Sequence, residues 1–141
     1  MKFFFIAFAV IITFNSVSTF AAPVSASFQN LGKTDIDVSQ VKNCGVLSQT
    51  PTLIKSGATS PVFTTDCGGS MSSFAVSYSA GLKKCNFQIS VIYHMPTLFG
   101  GSGSWLPTVA ANGSGGAKCR VESQAFSGIE SGAFKAVFSM K

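Results

Sequence analysis

Charge is scarce in this chain. Of 141 residues only ten are Lys or Arg and five are Asp or Glu, with one histidine and one tryptophan. Exposed helix faces usually carry many charged side chains, so the shortage points to β-structure with a surface of serine, threonine, glycine and asparagine. It also sets function classes aside. A nucleic-acid binder presents a dense basic stripe, on a helix or interleaved with aromatics. Here the basic residues are scattered apart from Lys83-Lys84 and Lys118-Cys119-Arg120, and no nucleic-acid partner is expected. Glycosidases hold two carboxylates across a cleft, and five thinly spread acidic residues single out no such pair. Asp35 and Asp37 flank Ile36 at a spacing that turns both to solvent on a strand, and Asp66 is placed to shape the turn before Cys67-Gly68.

Catalytic motifs are missing too. There is no Gly-x-Ser-x-Gly elbow, His-Glu-x-x-His pair, phosphate loop or Gly-x-Gly-x-x-Gly turn, and no cofactor is implied. His94 is the sole candidate histidine base. A small secreted hydrolase would have to combine it with a serine and one of Asp35, Asp37 or Asp66. Paired Cys-x-x-Cys spacing is also absent, so no metal site is expected.

The one long apolar run opens the chain. Lys2 is followed by twelve residues from Phe3 to Phe14 and a polar stretch ending Thr19-Phe20-Ala21, the pattern of a secretory signal peptide. The run falls short of the roughly 20 residues needed to span a bilayer, and no later run is long enough, so the mature chain carries no transmembrane segment. Cleavage after Ala21 leaves a single domain over 22–141, near the commonest domain size. Its expected location is secreted or periplasmic.

Export gives the cysteines their meaning. Cys44, Cys67, Cys85 and Cys119 are an even number in an exported domain of this size, which reads as two disulfides. Asn43-Cys44-Gly45 and Asp66-Cys67-Gly68 look alike, each setting a cysteine between a turn-forming residue and a glycine. This favours Cys44 with Cys67 and Cys85 with Cys119.

Period-two alternation is the dominant pattern. Cys85, Phe87, Ile89, Val91 and Tyr93 alternate with Asn86, Gln88, Ser90 and Ile92, marking a half-buried strand. Phe74, Val76 and Tyr78 mark another just before it. The link Ala80-Gly81-Leu82-Lys83-Lys84 makes the two a hairpin with its lysines outward. Strands are also predicted at 24–31 with Val24, Ala26 and Phe28 inward, and at 35–40, 52–55, 61–65, 108–111, 118–122 and 133–140, with Gly- and Ser-rich turns between them. About eight short strands indicate an all-β, antiparallel β-sandwich or small barrel.

The segment 94–107 stands out as a long loop for a compact β-domain, and such loops are often functional. It joins the only tryptophan to several apolar residues around a Gly-Gly-Ser-Gly centre. Met95, Leu98, Phe99 and Trp105 are therefore the candidate contact residues, for a membrane surface, a glycan or a protein. The alternative is that Phe99 and Trp105 fold back and plug one end of the sandwich.

At the C-terminus Phe134, Ala136, Phe138 and Met140 alternate, and Gly128 stands fourteenth from the end. This resembles the closing strand of chaperone-usher pilus subunits over those residues, with Met140 where that family has its penultimate tyrosine. The resemblance implies a structural subunit of a surface appendage. Composition and patterning together lead instead to a secreted, non-enzymatic β-sandwich binding protein, with the appendage subunit and the His94 hydrolase as alternatives.

Overall fold

The computed structural model describes residues 22–95, 102–128 and 131–141. The signal-peptide segment 1–21, and Leu98 and Phe99 of the candidate loop, lie outside the described residues. What is described is all-β. Nine strands run in chain order: β1 Val24–Asn30, β2 Asp37–Asn43, β3 Val46–Leu47, β4 Phe63–Asp66, β5 Met71–Ala80, β6 Lys83–His94, β7 Ser104–Ser114, β8 Cys119–Phe126 and β9 Phe134–Met140. They form two packed sheets, one of five strands in the order β3-β4-β1-β9-β8 and one of four in the order β2-β5-β6-β7.

The core lies between the sheets because alternation sends every second side chain inward. Val24, Ala26 and Phe28 of β1 meet Phe74, Val76 and Tyr78 of β5, Phe87 and Ile89 of β6, and Phe138 of β9, all buried. Phe28 is the hub. Its ring lies 5.2–6.1 Å from those of Phe63, Phe74, Tyr78, Phe87 and Phe138, within the range of favourable aromatic pairs.

Most pairings are antiparallel, but β1 runs parallel to β9, from Val24 opposite Phe134 to Asn30 opposite Met140. The first and last strands thus lie side by side in the five-stranded sheet. β9 is flanked on both sides by strands of its own chain.

Several boundaries differ from the sequence expectation. The segment 52–55 is not a strand: Ile54 makes one isolated bridge to Ile36 through reciprocal N–H to carbonyl bonds of 3.0 Å. Buried Asn30 organises this region instead. Its Nδ2 donates to the carbonyls of Thr34 (2.8 Å) and Ile54 (3.0 Å), and its Oδ1 accepts from the N–H of Gly32. The second strand starts at Asp37 because Ile36 is spent on that bridge. β3 is only two residues long and carries no period to detect. The β5–β6 hairpin forms as expected, but its turn is Gly81-Leu82 alone, with Gly81 at φ 60° as a type II′ turn requires. Lys83 and Lys84 lie within β6, both exposed, with Lys84 on the outer face and Lys83 on the other side of the strand.

Both disulfides have the expected partners, with Cα–Cα distances of 5.2 Å for Cys44–Cys67 and 5.7 Å for Cys85–Cys119. Each joins the two sheets. Cys44 follows β2 and Cys67 follows β4, whereas Cys85 is on β6 and Cys119 on β8. Such bonds are consistent with an oxidising, extracytosolic environment.

Candidate functional site

The segment 94–107 is shorter as a loop than its sequence implies. β6 continues to His94 and β7 begins at Ser104, so only 95–103 connects them. Strand parity then decides each side chain's fate. Trp105 stands opposite Tyr93 on the inner face; it is 1% exposed, with its ring 5.2 Å from that of Tyr93. Gly132, at φ 67°, closes over the indole so tightly that a Cβ there would collide with it. The expectation of Trp105 as a surface contact is corrected: it is a core residue, closing the end of the sandwich as the fold-back alternative holds. Met95 is 77% exposed.

The same parity brings out a surface that the sequence reading missed. On the outer face of the four-stranded sheet, Met71, Ile92 and Leu106 occupy paired positions on β5, β6 and β7. They form a cross-strand row, each 42–47% exposed. Alternation already turned Ile92 outward, but only the register sets Met71 and Leu106 beside it.

Next to this row the face turns polar, with few charges. The rows Ser73–Ser90–Thr108, Ala75–Gln88–Ala110 and Ser77–Asn86–Asn112 follow one another across β5, β6 and β7. β2 adds Lys42 opposite Ala75 and Gln40 opposite Ser77. A depression of about 420 Å³ opens here, lined among others by Lys42, Asn43, Ser73, Asn86 and Gln88. Asn43 is partly committed, its Nδ2 donating to the carbonyl of Gly45 at 2.9 Å. Among the described residues the amides of Asn86 and Gln88 make no side-chain hydrogen bond within the fold. Their donors and acceptors face the depression unspent, which equips it to pair with a ligand's hydroxyls or amides.

Of the residues considered for catalysis, Asp35 and Asp66 have other engagements. His94 is exposed at the end of β6, opposite Ser104. Asp35 accepts from the N–H of Ser56 at 2.8 Å and Asp66 from that of Gly68 at 3.0 Å, so both shape turns. Glu122 accepts a hydrogen bond from the Ser139 hydroxyl. Among the described residues, no three His, Cys, Asp or Glu side chains gather as a metal site would need, and no helix is long and apolar enough to cross a membrane. Compared with known proteins, the chain matches no family model and no curated sequence.

Proposed function

We propose that this is an exported protein, released by cleavage of its signal peptide, that acts by binding rather than catalysis. Its contact surface is the outer face of the four-stranded sheet, and its ligand class is an uncharged glycan. The observation that carries this reading is the depression beside β2. It offers the amides of Asn86 and Gln88, unpaired among the described residues, with Lys42 as the one charge, and it lies on a face that ends in the apolar row Met71–Ile92–Leu106. Sugars present hydroxyls that amides recognise by hydrogen bonding, and C–H faces that aliphatic side chains cover.

Binding to immobilised neutral oligosaccharides tests the reading. The wild-type protein should retain at least one of them. Asn86→Ala together with Gln88→Ala should weaken retention by about tenfold or more, as expected for losing hydrogen bonds worth about 1 kcal/mol each, while the melting temperature stays put. Failure to retain any neutral glycan, or retention indifferent to both substitutions, would remove it.

A further inference from the structure

We infer that the opposite end of the sandwich is a second contact surface, built to sit on an anionic lipid bilayer. The basic residues that look scattered along the chain converge there. Four pieces of chain meet at that end. The β1–β2 turn lies beside the last residues, the Leu31 N–H donating to the Met140 carbonyl at 2.8 Å. Lys141 and Lys118 exchange backbone bonds of 2.8 and 2.9 Å. Gly115 packs against the Leu82 carbonyl in the β5–β6 turn. One surface hollow is shared by Lys33, Lys83 and Lys141, and a second by Lys118, Arg120 and Lys141. Lys84 stands opposite Ser114. Six of the nine basic residues outside 1–21 therefore occupy one end of the molecule. The acidic groups nearby are Glu122, which lines the second hollow and takes the Ser139 hydroxyl, Asp37, opposite Ser79, and Asp35, which stands in the β1–β2 turn two residues from Lys33 and accepts from the Ser56 N–H.

Charge alone would fit any polyanion; the apolar residues select among them. Leu82 occupies the tip of the β5–β6 turn and is 92% exposed, and Leu31 is 51% exposed at the rim of the second hollow. A leucine at the apex of a basic rim has nothing to gain from a phosphate backbone. It does gain from a bilayer, where the side chain passes the headgroups while lysines beside it meet anionic lipid. This surface is separate from the glycan-facing depression and does not depend on that reading.

Co-sedimentation with phosphatidylcholine vesicles, with and without phosphatidylserine, tests the inference. Binding should require phosphatidylserine and fall as salt is raised. Replacing Lys83 and Lys84 together by serine should weaken it by more than tenfold, each lysine near an anionic surface being worth about fivefold. Leu82→Ser should weaken binding at fixed salt with the salt dependence unchanged. The inference is overturned by equal binding to both vesicle types, by no binding, or by binding indifferent to Leu82→Ser. It is also overturned if a single-stranded oligonucleotide is bound and Leu82→Ser leaves the vesicle signal intact, which would make this end a general polyanion site. Thermal melting of each variant separates loss of binding from loss of fold.

Discussion

At the scale of single residues, Tyr78 is the most exacting position in the core. Its side chain is fully buried and, among the described residues, its hydroxyl has no hydrogen-bond partner. A buried unpaired hydroxyl costs about 1–3 kcal/mol. Burial also pushes its pKa well above the ordinary 10.0, because the charged phenolate would be stranded in an apolar interior. The folded protein keeps this proton where the unfolded chain has released it. The stability it represents is complete below pH 10 and is lost as the pH rises beyond that value. Tyr78→Phe keeps the ring that packs 5.2 Å from Phe28 and removes the hydroxyl. It should be neutral or stabilising at pH 7 and should flatten the fall in stability above pH 10, measured by urea unfolding across that range. A large loss at pH 7 would mean that the hydroxyl has a partner.

At the scale of elements, the β6–β7 hairpin shows how one step of parity separates structure from surface. Trp105 and Leu106 are neighbours in sequence, yet the first closes the core and the second joins the exposed row. Pro107, which lacks an N–H, is accommodated because β7 is an edge strand of its sheet. Gly132 completes the arrangement from the other sheet's connection. Gly132→Ala would place a Cβ into the indole and force a left-handed backbone on a residue that resists it. We expect a loss of about 2 kcal/mol or more, with Trp105 emission moving to the red as the indole is displaced into water. Unchanged emission would show that the indole does not rest against Gly132. The strand over 85–93 was legible beforehand because its alternation is long and strict. The loop 94–107 was misjudged because Gly-Gly-Ser-Gly hides the start of β7, and no local pattern shows that Trp105 pairs across from Tyr93.

At the scale of the whole molecule, the two disulfides are staples between sheets. Cys44–Cys67 joins them on the side of β2 and β4, Cys85–Cys119 on the side of β6 and β8, and the two lie toward opposite ends of the strands. Each closes a long loop, with sequence separations of 23 and 34, so each restricts the unfolded chain by about 3–4 kcal/mol in the chain-entropy model. Replacing Cys85 and Cys119 together by alanine should lower stability by about 2–5 kcal/mol while leaving the all-β circular dichroism spectrum in place. A change much below that range would mean that core packing alone holds the sheets together.

The sequence by itself determined the all-β class, most strand positions and the inward faces of β1, β5, β6 and β9, and it favoured the cysteine pairing that the structure shows. These follow from period-two alternation and from local turn chemistry, which act between near neighbours along the chain. Tertiary structure alone decided which surfaces exist. The row Met71–Ile92–Leu106 depends on the register of three strands, and the basic end on four segments meeting from distant parts of the chain. The burial of Trp105 depends on a glycine 27 positions further along. Each is a long-range juxtaposition, set by how the sheets pair and pack, and so none leaves a trace in the local pattern of residues.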